Sequence, residues 1–346
     1  MKSKAFVIAE ISANHNNSYD QAEKMVRVAK EVGADAVKVQ TYTPDTLTID
    51  CDRPEFKISG GTPWDGRTLY ELYGEACMPW EWQPKLKKVA DEIGIELFST
   101  AYDKTAVDFL EDMGVSRYKI ASFELVDLPL IEYVASKGKP IIMSTGMASL
   151  EEIIEALDVA ESAGATDITL LKCTSAYPSK PEEMNLEAIS YLRSLFPLSR
   201  GVSFSVGLSD HTRGIVAPIV ATTLGATMIE KHFTLSRNEP SPDSSFSLEP
   251  EEFRVMVEGV RQAEKMLGER KIGATEQEAS SKVFRRSLFV VEDIKKGGVF
   301  TKNNVRSIRP GYGLPPKELS TILGNKARIN IERGTPLQWE MLSISM

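Results

Sequence analysis

The chain holds only three histidines, and each follows a short apolar run of β character. His15 comes after residues 6–11, His211 after 202–206 in Gly207-Leu208-Ser209-Asp210-His211-Thr212, and His232 after 226–229 in Glu230-Lys231-His232-Phe233-Thr234. Imidazole binds divalent cations and moves protons near neutral pH. His211 and His232 could present two imidazoles to one divalent metal, with Glu10 or a water completing the shell. The other reading of the pair is two hydrogen-bonded structural histidines. Glu10 and Glu124 are candidate general acid–base groups, and Asp210 is a candidate orienter of a ligand histidine. Lys38, Lys119, Ser122, Ser144 and Ser209 offer ammonium and hydroxyl donors suited to a phosphate or carboxylate. A metal-free Schiff-base aldolase using Lys38, Lys119 or Lys172 is an alternative use of the same side chains.

Short strands must carry these groups. Strand-like runs lie at 5–11, 36–41, 96–100, 117–121, 140–144, 167–173, 202–207 and 226–232, with helical windows between them at 19–32, 80–93, 104–113, 128–136, 150–163, 186–195, 213–223 and 250–267. Gly33, Gly94, Gly114 and Gly164 sit where a left-handed residue ends a helix. Eight βα units over roughly 250 residues predict a closed (β/α)8 TIM barrel. An open doubly wound sheet competes less well, because Ile11-Ser12-Ala13-Asn14-His15 stands where a glycine-rich dinucleotide loop would follow the first strand. In a barrel, polar residues at the C-terminal ends of strands are functional ones. The set is Glu10, Asn14 and His15; Lys38 and Gln40; Ser99 and Thr100; Lys119, Ser122 and Glu124; Ser144 and Thr145; Lys172, Thr174, Ser175 and Tyr177; Ser209, Asp210 and His211; Lys231 and His232.

One insertion breaks the rhythm. Residues 43–79 separate the second strand from its helix and contain Gly60-Gly61-Thr62-Pro63-Trp64-Asp65-Gly66. They are expected over the C-terminal mouth, where Tyr70, Tyr73, Trp80 and Trp82 would form an amphipathic lid over a sugar. Beyond the barrel, residues 1–268, comes a charged linker at 269–284 and a small β-rich domain at 285–346, with strand-like runs at 287–291, 305–310 and 328–331.

Composition sets bounds on function. The net charge of −8 and the absence of a basic run argue against a nucleic-acid partner. Cys51, Cys77 and Cys173 are odd in number with no C-x-x-C spacing, which suits reduced thiols. No apolar run approaches the ~20 residues needed to span a bilayer. A cytoplasmic protein with no membrane partner is the expectation.

Taken together, Glu10-Ile11-Ser12-Ala13-Asn14-His15, Lys38-Val39-Gln40-Thr41, Tyr118-Lys119-Ile120-Ala121-Ser122-Phe123-Glu124, Ser144-Thr145-Gly146-Met147, Gly207–Thr212 and Glu230–Thr234 resemble the sialic acid synthase family. Its members condense phosphoenolpyruvate with an amino-sugar to give a nonulosonic acid. The resemblance covers essentially the whole chain. Ser307-Ile308-Arg309-Pro310-Gly311-Tyr312-Gly313 is similar to the antifreeze-like (SAF) domain of these synthases. The insertion, with Arg67-Thr68-Leu69-Tyr70-Glu71-Leu72-Tyr73 and Pro79-Trp80-Glu81-Trp82, resembles the pseudaminic acid synthase branch. That branch implies 2,4-diacetamido-2,4,6-trideoxy-L-altrose as the sugar. N-acetylneuraminate and legionaminate synthases are the sibling alternatives, and a non-catalytic sugar-binding protein is the alternative of another class.

The resemblance implies roles. His211 and His232 would hold Mn²⁺ or Mg²⁺, while Lys38, Thr100, Lys119, Ser122, Ser144 and Ser209 would hold phosphoenolpyruvate. In Cys173-Thr174-Ser175-Ala176-Tyr177-Pro178, Ser175 stands where the family often has Asn, a donor of longer reach, and Tyr177 joins the substrate-binding set. Gln40 and Asp243 would contact the sugar. In a domain-swapped homodimer, Arg309 would reach the sugar's N-acyl group in trans.

Overall fold

The computed structural model describes residues 4–62, 64–195 and 202–343. The chain divides into two compact units, Met1–Gly268 and Glu269–Met346.

In the first unit, β1 (Phe6–Glu10), β2 (Ala36–Thr41), β3 (Glu96–Ala101), β4 (Tyr118–Ile120), β5 (Ile141–Ser144), β6 (Asp167–Cys173), β7 (Ser203–Asp210) and β8 (Met228–His232) pair in parallel and in order. The β8–β1 ladder closes the barrel, with Glu10 opposite His232. The helices are α1 (Tyr19–Glu31), α2 (Pro44–Leu47), α3 (Leu69–Ala76), α4 (Gln83–Ile93), α5 (Lys104–Asp112), α6 (Leu128–Ala135), α7 (Leu150–Ser162), α8 (Ala188–Leu195), α9 (Val216–Thr223) and α10 (Pro250–Leu267). The closed barrel expected from the sequence is therefore the fold. Helix starts carry the caps their sequences offer: the Ser149 side chain accepts from Glu152 N while Glu152 accepts from Ser149 N. The four glycines expected to stop helices all have positive φ, from 71° at Gly94 to 100° at Gly164.

Two differences from the sequence reading matter for the site. Strand β7 runs to Asp210 instead of ending at residue 207, so Ser209 and Asp210 lie inside the ladder. The helix expected from residue 80 starts at Gln83, because Trp80–Trp82 forms a separate 3-10 turn.

Apolar side chains of the barrel gather in two buried clusters. One is built around Phe98, Ile120, Ile142 and Leu208, the other around Val7, Val37, Leu97 and Phe253. They are hydrophobic where strand faces meet helices, and burial there is worth roughly 25 cal/mol per Å² of apolar surface.

The second unit starts with an exposed segment through residue 282 that includes a short helix, α11 (Glu276–Ala279). Two small antiparallel pairs follow: β9 (Ser287–Val290) with β10 (Val305–Ile308), and β11 (Lys326–Ala327) with β12 (Leu342–Ser343). Residues 328–331, expected as a strand, are not one; the pairing falls on Lys326–Ala327, and Ile331 makes only an isolated bridge to Ile294. The unit has its own core, with Leu288, Phe300, Ile322 and Leu337 buried.

Candidate active site

Side chains alternate along a strand, so residues two apart share a face. Glu10 and Ser12 lead from β1, Lys38 and Gln40 from β2, Ser209 and His211 from β7, Glu230 and His232 from β8. All eight line one cavity of about 420 Å³, together with Lys119, Ser122, Glu124, Ser144, Ser175, Tyr177 and Asp243. The alternate residues face away from it. Lys231 reaches Asp210 Oδ2 at 2.7 Å with both side chains fully buried, and Lys172 donates to Cys173 O at 2.8 Å.

The ionic centre consists of two lysines and two glutamates. Lys38 Nζ lies 2.6 Å from Glu10 Oε2 and 3.6 Å from Glu230 Oε1. It also donates to Thr100 Oγ1 at 3.0 Å, so Thr100 supports the ammonium from below and does not itself line the cavity. Lys119 Nζ donates to Ser144 Oγ at 2.6 Å and to Ile120 O at 3.1 Å. Gln40 Nε2 donates to Glu10 Oε1 at 2.9 Å, and Ser209 Oγ donates to Glu230 Oε1 at 3.3 Å. Glu230 was not among the candidates read from the sequence. Its signal was present: two residues before His232 on a strand, it had to share that histidine's face.

Burial governs the charges. It pushes the Glu10 carboxyl up to about 7 against the pull of Lys38, and Glu124 up to about 7 against the pull of Lys119. Glu124 Oε2 is buried without a hydrogen-bond partner among the described residues. Glu230 is also desolvated, but the attraction of Lys119 and Lys38 outweighs this and holds it below the usual range. Burial lowers Lys119. Lys38 stays above its ordinary value because Glu10 and Glu230 overcome its desolvation. The centre thus combines acids able to carry a proton at neutral pH with cations able to meet an anion.

Around Gly146 the packing is closest. A Cβ there would collide with the Ser175 and Ser122 hydroxyls, so a side chain at this position would displace them from their present rotamers. Gly146 N donates to Ser122 Oγ at 3.1 Å. The β5–α7 turn is in this way pressed against the hydroxyls that face the cavity.

The His211 and His232 rings stand 5.3 Å apart, centroid to centroid, and Tyr177 lies 4.3 Å from His211. His211 Nδ1 is 2.9 Å from Thr174 O, which can only accept. That contact requires a proton on Nδ1, which leaves Nε2 as the nitrogen able to ligate when the ring is neutral. His232 Nδ1 is buried with no hydrogen-bond partner among the described residues and lies 3.7 Å from Asp243 Oδ2. Such free imidazole nitrogens suit a divalent cation. Glu10 is committed to Lys38 and Gln40, and among the described residues no set of three or more His, Cys, Asp and Glu is arranged around an ion. The donor set fits a cation held by two imidazoles, with its other positions left for substrate or water.

Several expectations need correcting. Asp210 does not orient a histidine; it accepts from Lys231, Thr212 N and Thr212 Oγ1, and Lys231 also donates to Thr212 O. The pair clamps the Thr212 backbone, directly after His211. His15, one of the strand-end polar residues, does not face the cavity: it packs edge-on against Trp82, and burial lowers it to about 4. Asn14 is structural, donating to Phe233 O and Ser247 Oγ. Of the four aromatics expected as a lid, only Tyr73 lines the cavity. Trp80 packs on Phe109, Trp82 on His15 and Tyr19, and Tyr70 donates to Asp45 at the surface. The insertion does face the cavity, through Trp64, whose Nε1 donates to Pro242 O at 3.1 Å. Arg309 is an exposed residue of the second unit, directly after β10.

Residues 25–272 match the NeuB family, and residues 285–343 match the SAF domain. The chain belongs to the NeuB family. Among curated members, it is 45% identical to the pseudaminic acid synthase of Campylobacter jejuni (serotype O:23/36, strain 81-176), covering 97% of this chain and 96% of the relative. It is 37% identical to the N,N'-diacetyllegionaminic acid synthase of Legionella pneumophila, covering 97% and 94%. The crystal structure of an N-acetylneuraminic acid synthetase from Leptospira borgpetersenii superposes with a TM-score of 0.71 at 29% identity, covering 81% of this chain and 90% of that one. The sialic acid synthase resemblance, the barrel and the SAF domain read from the sequence are thus those of this NeuB-family chain. Among its described residues no helix is long and apolar enough to cross a membrane.

Proposed function

We propose that this protein is a pseudaminic acid synthase, condensing phosphoenolpyruvate with 2,4-diacetamido-2,4,6-trideoxy-L-altrose. The observation that carries this reading is the cavity itself. Two lysines, the four serines Ser122, Ser144, Ser175 and Ser209, and two near-neutral glutamates converge beside a pair of imidazoles. The 45% identity to a synthase of that name over nearly the full chain favours this sugar over its siblings.

In this reading Lys38 and Lys119 meet the phosphate and carboxylate of phosphoenolpyruvate, with Ser122, Ser144, Ser175 and Ser209 donating to the same oxygens. Gln40, Tyr177 and Asp243 orient the sugar. When bound by His211 and His232, Mn²⁺ or Mg²⁺ would polarise the sugar aldehyde as a Lewis acid. The C3 atom of phosphoenolpyruvate forms a bond to the aldehyde carbon, and the aldehyde oxygen takes up a proton. Water then adds at C2 and gives up a proton, and the tetrahedral centre breaks its C–O bond to release phosphate. Glu10 and Glu124 hold and move these protons, since carboxyls near 7 can both donate and accept at working pH. Arg309 would reach the sugar's N-acyl group from the SAF domain of a second copy, in a domain-swapped homodimer.

The test is phosphate release from phosphoenolpyruvate with each candidate sugar, before and after chelation. Turnover of the trideoxy sugar, abolished by chelator and restored by Mn²⁺, is expected. Turnover confined to N-acetylmannosamine would overturn the choice of sugar. Activity that survives exhaustive chelation would overturn the metal role.

A further inference from the structure

The cavity has two chemically different walls. Strand ends of the barrel supply charges and hydroxyls. The insertion supplies Leu47, Ile58, Trp64, Leu69, Leu72 and Ala76. None of these six belongs to either apolar cluster of the barrel, so the barrel core does not account for their hydrophobicity. Apolar side chains outside a core gain burial from whatever lies against them, and here that is the cavity. Their backbone is built to hold them there. Ile58 N donates to Arg67 O at 2.8 Å and Gly66 N to Ile58 O at 2.9 Å, while Thr68 and Glu71 cap α3, which carries Leu69, Leu72 and Ala76.

Resting on the function proposed above, we infer that this wall determines specificity by receiving the deoxygenated end of the sugar. With the reacting aldehyde by the imidazole pair and phosphoenolpyruvate, the rest of the six-carbon chain meets the insertion wall of the same cavity. A C6 methyl and an acetamido methyl can rest on Ile58 and Leu69. A C6 hydroxyl there would lose its water without a partner. Ile58 and Leu69 are thus the specificity-determining residues that select a sugar without a C6 hydroxyl.

The test compares the trideoxy sugar with its counterpart carrying a C6 hydroxyl. Wild type should favour the 6-deoxy compound by roughly 10- to 200-fold in kcat/KM, the range a hydrophobic pocket achieves against a small change. Ile58→Thr and Leu69→Thr, combined, should narrow that ratio by about tenfold, mostly through KM for the 6-deoxy sugar, with KM for phosphoenolpyruvate unmoved. A wild-type ratio within about twofold of one overturns the inference even if the double variant does not fold, and leaves the proposed function standing. An unchanged ratio in a double variant of native circular dichroism also overturns it. Turnover of N-acetylmannosamine in place of both altrose sugars would overturn the function and the inference together.

Discussion

The barrel side and the insertion side of the cavity are held in place by different means. The barrel side is rigid and ionic: Glu10, Lys38, Lys119 and Glu230 sit on strands whose register is fixed by neighbours on both sides, as Glu10 is between Lys38 and His232. The insertion side is apolar and carried by a loop and two short helices, tied to the barrel loops by contacts such as Trp64 to Pro242. The division suggests that reaction chemistry resides where geometry is over-determined, and selectivity where sequence can vary without disturbing the ladder.

If the barrel side carries the chemistry, changes there should affect kcat far more than KM for the sugar. Glu124→Gln keeps the shape and removes the proton carrier. It should lower kcat by about 10²–10⁴-fold while KM for phosphoenolpyruvate stays close to wild type, as steady-state phosphate release would report. A fall in sugar affinity alone would break the division.

The support behind the barrel side comes next. Lys231→Met strands a fully buried Asp210 and should cost about 3–5 kcal/mol of stability, read from the denaturant midpoint. A Lys231→Met/Asp210→Leu double variant should recover most of that loss. It should still bind Mn²⁺ more weakly by calorimetry, because the clamp on the Thr212 backbone beside His211 is gone.

Glu124 also makes stability depend on pH. Its carboxyl titrates ordinarily at 4.5 and in the fold at about 7, so folding favours the neutral acid. That contribution is complete below the ordinary value and is lost as pH rises through 7. Relative to Glu124→Gln, wild type should lose up to about 3 kcal/mol between pH 5 and 8 in paired denaturation curves. Parallel curves would mean that this carboxyl is solvated.

The smallest effect belongs to the insertion. Trp64→Phe removes the Nε1 bond to Pro242 O and should cost about 1 kcal/mol in sugar binding, seen as a roughly fivefold rise in sugar KM. An equal change in KM for phosphoenolpyruvate would show that the two sides are not separate.

Much of this was legible in the sequence, for a reason that shows where legibility ends. Alternating β and helical runs, closed by glycine stops, specify eight βα units, because period and punctuation are local properties. Histidine scarcity and polar strand ends locate the site, because a barrel puts those ends at one mouth. Glu230 was missed, although counting two residues back from His232 would have found it. Which partner each buried group takes was not local. Asp210 faces Lys231 instead of a histidine because adjacent strands β7 and β8 stand in a register that only the closed barrel sets. Trp64, and not Trp80 or Trp82, walls the cavity because the insertion has no repeat from which to infer a face. The sequence by itself determined the elements and the chemistry they carry. Tertiary structure decided the pairings and the apolar wall, since both depend on distances between segments far apart in the chain.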